Sequence, residues 1–254
     1  MRIILPQLQG AVLVYLLTFV RAGAMIMLMP AIGTVGVPPR VRLAFALAVS
    51  WALVSVTAQY YPQGMLSPAE LAVLIAREAT AGVLVGAMTR LIMSALEVAG
   101  FLIAFQTGLS FATTFDPGQG MQGAMVSTFL SILGVLLIFE TGLHHLAIEA
   151  IAGSYRLLPV QGDLPVSDMA QLVLGLTAGA FVLGLQLASP FLVFGLLVYV
   201  TLGVVSRAMP QMQIFFLSMP ISILLGFVLL MLFIGLMMSI FLDFYAEQMR
   251  LFGV

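Results

Sequence analysis

Six long apolar segments, separated by short loops rich in proline and glycine, constrain the fold of this chain more than any other feature. The segments cover roughly residues 8–29, 41–59, 70–105, 124–152, 170–205 and 214–245. A helix needs about 20 apolar residues to cross a bilayer. Only 7% of the residues are charged, whereas a soluble domain carries about 25%. The sequence therefore predicts an all-α, polytopic membrane protein.

Some of these segments are too long for one straight crossing. Residues 170–205 would form a helix of about 54 Å, whereas the hydrocarbon core of a bilayer is about 30 Å thick. Pro190 lies in the middle of this segment and predicts either a kink or two shorter helices. Segment 70–105 also exceeds the length of a single span.

The composition excludes several classes of function. All nine basic residues are arginine and they form no large patch, which argues against nucleic-acid binding. The chain has no cysteine, which excludes disulfides and cysteine-based metal sites. No cleavable signal sequence is evident, so we expect the first apolar segment to be retained.

A glycine-rich stretch, GQGMQG at 118–123, matches the dinucleotide-binding pattern G-x-G-x-x-G, and Glu140 follows about twenty residues later. That pattern needs a strand before it and a helix after it, but no strand-like alternation precedes it here. The match is therefore interpreted as accidental. Two large side chains, Phe111 and Phe115, flank the glycines. The stretch is either an exposed turn or a re-entrant plug beside a water-filled path.

Small residues with G-x-x-x-G spacing occur at Gly82 and Gly86, and again at Gly175 and Gly179. This spacing lets helix backbones approach closely in lipid. We expect packing within the chain, with packing between subunits as the alternative.

Several charged residues lie inside apolar segments, where an unpaired charge costs at least about 2.5 kcal/mol at the bilayer centre. Arg21 in the first segment is expected to join an ion pair. Opposite charges also favour ion pairing in the third segment. These candidate residues are Arg77, Glu78, Arg90 and Glu97.

A further polar group consists of Glu140, His144, His145 and Glu149. On a continuous helix, Glu140 and His144 would share a face, as would His145 and Glu149. Such pairs suit metal binding or proton relay, but the preferred interpretation is a helix end with satisfied polar contacts. No set of nucleophile, base and orienting residue appears. The sequence therefore predicts a protein without enzymatic activity, metal or cofactor.

Three stretches, 19–50, 106–120 and 204–227, together resemble the FliR family of type III secretion export-gate proteins, with matching order and spacing. The related injectisome subunit has the same architecture. The resemblance implies a core subunit of the bacterial flagellar protein export gate in the inner membrane, at the basal body. It also implies partners: FliP-like and FliQ-like subunits, other export-apparatus membrane proteins and unfolded export substrates.

The resemblance further implies long, kinked helical hairpins rather than a conventional bundle. They would form two parts, a FliP-like part at 1–165 and a FliQ-like hairpin at 166–254. The plug segment, residues 106–123, would close the conduit. The plug residues implied are Phe111, Ala112, Thr113, Thr114, Phe115, Asp116 and Pro117, with hinges at Gly118, Gly120 and Gly123. A helix-turn motif is implied at Ser206, Arg207, Pro210 and Gln211.

Two alternatives remain open from the residues. One is a small secondary transporter or proton-conducting protein, whose polar path would contain Arg21, Glu97, Glu140 and the histidine pair. The other is an assembly scaffold that plays no part in the conduit.

Overall fold

The computed structural model describes residues 4–34, 36–62, 67–111, 125–161, 166–209 and 214–252. Within these ranges the regular structure is helical. The α-helices are α1 Ile4–Leu28, α2 Pro39–Thr57, α3 Pro68–Gln106, α4 Met125–Glu140, α5 His144–Leu157, α6 Val166–Ala208 and α7 Ile214–Arg250. Short 3₁₀ helices cover Ala58–Tyr60 and Leu109–Phe111.

The helices confirm the prediction of an all-α polytopic membrane protein. Five of them, α1, α2, α3, α6 and α7, are long and apolar enough to cross a membrane. The pair α4 and α5 provides a sixth candidate if it is counted as one bent span.

Local sequence signals set where α2 and α3 begin. Pro39 occupies the first turn of α2, where its fixed φ suits the helix and its missing N–H costs nothing. Before α3, the Ser67 backbone N–H donates to the Glu70 carboxylate at 2.7 Å, and the Glu70 N–H donates to the Ser67 hydroxyl at 3.3 Å. This reciprocal capping box satisfies donors that the first helical turn leaves unpaired.

Helix α6 runs for 43 residues and contains Pro190, so of the two predicted alternatives, a kink or two shorter helices, the second is wrong. Phe191 and Ala188, on either side of this proline, are fully buried. Packing around a proline and local adjustment of the backbone allow a membrane helix to continue through it. A kink at Pro190 stays a prediction.

The predicted segment 124–152 is divided into α4 and α5, which are bent by 79°. The break falls at Gly142, which has a φ of +74°. Left-handed backbone is accessible to glycine at little cost and interrupts the helical path. Because Glu140 ends α4 and His144 begins α5, the expectation that they share one continuous helix face is wrong.

The chain forms two compact units that are discontinuous in sequence. Unit 1 contains residues 1–92, 139–176 and 245–254, and unit 2 contains residues 93–138 and 177–244. Helices α3, α6 and α7 each contribute to both units. The division at 165/166 into a FliP-like and a FliQ-like part stays a prediction.

In unit 1, α1 packs against α2, and both contact α5. A buried cluster joins these elements to α3. Its members are Leu17, Tyr61, Leu74, Tyr155 and Val160. A Cβ at Gly82 of α3 would collide with the Arg21 carbonyl of α1, and a Cβ at Gly86 would lie 2.8 Å from the Met25 carbonyl oxygen. This G-x-x-x-G face therefore packs within the chain, as predicted.

In unit 2, helices also approach one another closely at glycines. A Cβ at Gly184 of α6 would lie 2.8 Å from Val98 of α3. A Cβ at Gly134 of α4 would strike Leu96 of α3 and would lie 3.2 Å from Phe241 of α7. In the other predicted G-x-x-x-G pair, Gly179 lies against the Phe244 ring, whereas nothing described lies within 4 Å of a Cβ at Gly175.

Candidate functional site

The most concentrated polar site among the described residues lies in unit 1 around Arg21. Its guanidinium forms a two-pronged ion pair with Glu78, with Nε 2.7 Å from Oε2 and Nη2 2.9 Å from Oε1. Nη1 donates to the Ser154 hydroxyl at 3.2 Å, and Nη2 donates to the Leu158 carbonyl at 3.1 Å. The Arg21 side chain thus connects α1, α3 and the end of α5.

Two tyrosines complete the Arg21 site. The Tyr155 ring lies under the guanidinium, with 3.8 Å between Cζ and the ring centroid, in cation–π geometry. The Tyr61 hydroxyl donates to Glu78 Oε2 at 3.0 Å and lies 2.9 Å from the Tyr155 hydroxyl. Burial raises the pKa of Tyr61, and the neighbouring Tyr155 and Glu78 raise it further. The phenol therefore remains a hydrogen-bond donor at neutral pH.

The Arg21 site is electrically balanced and buried. Arg21 is 1% exposed and Glu78 is fully buried. Both carboxylate oxygens accept hydrogen bonds and the guanidinium donates to three partners. A buried pair of this kind fixes geometry more than it adds stability, because desolvation cancels much of the attraction. What it can do chemically is hold three helices in one register.

The other predicted intramembrane charges lie in different surroundings. Arg77 is partly buried, and its Nη1 donates to the Val160 carbonyl at 3.4 Å. Arg90 and Glu97, farther along α3, are exposed. Their predicted pairing stays a prediction.

The histidines lie at the bend between α4 and α5. The His144 ring stacks on Phe139 with centroids 4.9 Å apart, and it lies 4.1 Å from the His145 ring. His145 Nδ1 is 3.0 Å from the Gly142 carbonyl oxygen, whereas His144 Nδ1 is buried without a hydrogen-bond partner among the described residues. Within those residues, no group of three or more metal-binding side chains occurs.

The plug segment is described only at its beginning. Gln106 is the last residue of α3, Gly108 has a φ of +82°, and Phe111 ends a 3₁₀ helix. The remaining predicted plug residues lie outside the described residues. These are Ala112, Thr113, Thr114, Phe115, Asp116 and Pro117, with the hinges Gly118, Gly120 and Gly123.

A small cavity in unit 2 adjoins the beginning of the plug segment. Its volume is about 30 Å³, enough for one or two water molecules. Residues of three helices and of the turn after α3 line it. They are Gln106, Gly108, Val198, Tyr199, Leu202, Ser218, Met219 and Ser222. Polar groups of Gln106, Tyr199 and two serines therefore lie together where α3 ends.

The predicted helix-turn motif falls at the end of α6. The Ser206 hydroxyl donates to the Gly203 carbonyl at 3.0 Å. Arg207 is exposed in the last helical turn, where a cation interacts favourably with the helix dipole. Pro210 and Gln211 lie outside the described residues.

Comparison with known proteins identifies the family. The family model described as "Bacterial export proteins, family 1" matches residues 12–248. The flagellar biosynthetic protein FliR of Caulobacter vibrioides is 39% identical over 236 residues, which cover 93% of this chain and 94% of the relative. The chain belongs to the FliR family of flagellar export proteins. It is therefore a component of the flagellar export apparatus.

More distant FliR relatives match over most of their length. FliR of Escherichia coli is 29% identical over 84% of this chain and 80% of the relative. FliR of Bacillus subtilis is 26% identical over 85% of this chain and 84% of the relative. The resemblance inferred from residues 19–50, 106–120 and 204–227 is confirmed at the level of the family.

Sequence reasoning missed most of the Arg21 site. It named Arg21 and Glu78, but it did not connect them, and it did not find Tyr61, Ser154 or Tyr155. The signal available was weak, because tyrosine and serine at segment ends are ordinary in membrane proteins.

Proposed function

We propose that this FliR-family chain is a non-enzymatic core subunit of the flagellar export gate in the bacterial inner membrane, at the basal body. It lines the conduit for unfolded flagellar proteins and closes it with the plug segment. The observation that carries this proposal is the length of apolar helix surface that the chain leaves uncovered.

Helix α6 has the longest uncharged stretch. No charged residue lies between Asp168 and Arg207, a distance of about 57 Å along a helix. Large apolar side chains remain exposed towards its end, including Leu196 (64%) and Val204 (66%). A bilayer core of about 30 Å cannot cover this length unless the helix is strongly tilted. We infer that other subunits cover the excess, which fits FliP-like and FliQ-like partners.

Helix α7 supports the same inference. Its exposed residues include Met231 (78%) and Leu232 (71%), and no charge occurs from Ile214 to Leu242. Contiguous exposed apolar surface of this extent marks a lipid or protein interface. In the proposed gate, it is the surface on which neighbouring subunits pack around the conduit.

The plug assignment is supported by position. The segment follows α3, leaves it at a positive-φ glycine and precedes another apolar helix, α4. Non-helical backbone at membrane depth is tolerated only inside protein or beside a water-filled path. A loop with phenylalanines at this position would close such a path.

Replacement of residues 111–117 by a Gly-Ser linker of equal length tests the proposal. The gate complex should still assemble, and membrane conductance to ions should rise severalfold. As a control, replacement of the four residues 63–66, between α2 and α3, by a Gly-Ser linker of equal length should leave conductance unchanged. A sealed membrane with normal assembly of the 111–117 variant would favour the scaffold alternative.

The transporter alternative is tested by whether the chain functions without partner subunits. Arg21, one residue of its polar path, is already neutralised by Glu78 in the interior of unit 1. We expect the chain to co-purify with FliP-like and FliQ-like subunits, as judged by the mass of the intact complex. An isolated chain that transports a small solute in lipid vesicles would contradict the gate proposal.

A further inference from the structure

The last residue of α3 and the residue after it lie against two glycines on the neighbouring helices of unit 2. Thr107 lies against Gly226 of α7, and Gln106 lies against Gly195 of α6. Both glycines are buried. A Cβ at Gly226 would collide with the Thr107 methyl group and lie 2.8 Å from Thr107 Cβ. A Cβ at Gly195 would collide with the Gln106 amide oxygen and lie 2.9 Å from its Cδ.

The contact between Thr107 and Gly226 is the stiffer of the two. The Thr107 hydroxyl donates to the Ile103 carbonyl at 2.8 Å, and this bond restricts the side-chain rotamer. Thr107 is 1% exposed. The atoms that face Gly226 include a β-carbon, which moves only with the backbone. A side chain at position 226 would therefore displace the end of α3 or part of α7.

The contact between Gln106 and Gly195 is more adaptable, because the far end of a flexible side chain makes most of it. Gln106 also lines the small cavity beside Tyr199 and Ser222. Its amide has room to adjust there. Together the two contacts hold α3 between α6 and α7 at the point where the plug segment begins.

We propose that Gly226 and Gly195 are positioning residues for the export gate: they immobilise residues 106 and 107, so that this root of the plug segment stays in place while the gate exports protein. The proposal rests on the proposed function of the plug segment and adds a mechanical constraint to it. The turn after α3 includes Gly108, whose backbone has a φ of +82°.

A cysteine pair tests whether the root moves. The chain contains no cysteine, so Gln106→Cys with Gly195→Cys introduces the sole thiols of the subunit. Gln106 Cβ lies 3.3 Å from the position of a Cβ at residue 195, close to the separation of about 3.5–4.5 Å found in disulfides. Gln106→Cys with Gly203→Cys is the control, since nothing described lies within 4 Å of a Cβ at Gly203.

In the assembled gate complex, the 106/195 pair should cross-link in most subunits on oxidation, and the 106/203 pair should not. Secretion of an export substrate should agree within twofold between oxidised and reduced gates. Secretion that stops on oxidation and returns on reduction would show that the root moves, and would overturn the proposal. Absence of the 106/195 cross-link in an assembled gate would also overturn it.

Gly226→Ala tests the stiffer contact in complexes that assemble, with Gly235→Ala on the same helix as its control, because a Cβ at Gly235 meets nothing described within 4 Å. Gly226→Ala should raise ion leak severalfold and Gly235→Ala should not. A sealed Gly226→Ala gate would overturn the positioning role if the 111–117 linker variant leaks. If both are sealed, the plug function itself fails, and the cysteine pair still decides whether the root is fixed.

Discussion

Arg21 of α1 and Glu78 of α3 meet in a two-pronged ion pair, at 2.7 and 2.9 Å, although 57 positions separate them in the sequence. Both side chains are buried, and every polar atom of the carboxylate has a hydrogen-bond donor. The pair fixes the register of α1 against α3 in unit 1.

Removal of one member of this pair should be more damaging than removal of both. Arg21→Met leaves the Glu78 carboxylate buried without its main partner, and we expect a loss of about 3–5 kcal/mol in unfolding free energy. The double variant Arg21→Met with Glu78→Met should recover most of that loss. Thermal unfolding of the purified complex measures both. Arg90→Met, at an exposed site on α3, is the control and should have little effect. Equal losses in the single and double variants would contradict the ion-pair account.

Because α1 and α3 approach closely at Gly82, the addition of a single methyl group there should lower the stability of the protein. Gly82→Ala places a Cβ against the Arg21 carbonyl and 2.8 Å from Ala24 Cβ, and overpacking of this kind costs about 1–3 kcal/mol. Gly10→Ala in α1 meets nothing described within 4 Å and should be neutral or slightly stabilising. Denaturation midpoints of the two variants compare them directly. A Gly82→Ala protein as stable as Gly10→Ala would refute the packing argument.

The proposed plug predicts a permeability change without a loss of assembly. Replacement of Phe111 and Phe115 by alanine should raise the ion conductance of membranes that contain the gate, because the proposal assigns these large apolar groups to the closed plug. Phe101→Ala, at an exposed position of α3, should not change conductance. Unchanged conductance in the Phe111/Phe115 variant, with normal complex yield, would count against the plug assignment.

We expect replacement of Arg207 to affect assembly of the gate complex rather than the stability of the chain. It is exposed in the last turn of α6, so Arg207→Ala should cost the isolated chain at most about 1 kcal/mol from the helix dipole. The yield of the co-purified gate complex and swimming motility should both fall. Arg156→Ala provides a matched control, since Arg156 is an exposed cation in the last turn of α5. Normal yield and motility in the Arg207→Ala strain would remove the claim.

The bend between α4 and α5 predicts a residue-specific cost at Gly142. Its φ of +74° disfavours side chains other than asparagine and aspartate, so Gly142→Ala should cost about 1–2 kcal/mol. Gly142→Asn should cost less, because asparagine tolerates left-handed backbone. Equal stability of the alanine and asparagine variants in thermal unfolding would show that the bend does not depend on this conformation.

Sequence patterns predicted the all-α membrane architecture because that architecture depends on local properties of each segment. The length of an apolar run and the density of charge decide whether a segment can cross a bilayer, and neither depends on what the segment contacts. The G-x-x-x-G face at Gly82 and Gly86 was also predictable, since small residues at helical spacing leave room for another backbone. Hydropathy did not reveal the break within 124–152, because an apolar run stays apolar whether or not Gly142 adopts a positive φ.

The sequence by itself therefore determined that this protein lies in a membrane, that it is helical, and which family it belongs to. Only the tertiary structure decided which acid pairs with Arg21. It also decided that Gln106 packs against α6 and Thr107 against α7. Composition shows that a buried arginine needs a partner, but Glu78, Glu97, Glu140 and Glu149 all carry the same charge. The choice depends on distances between helices far apart in the chain, and those distances are set by packing at glycines such as Gly82, Gly195 and Gly226.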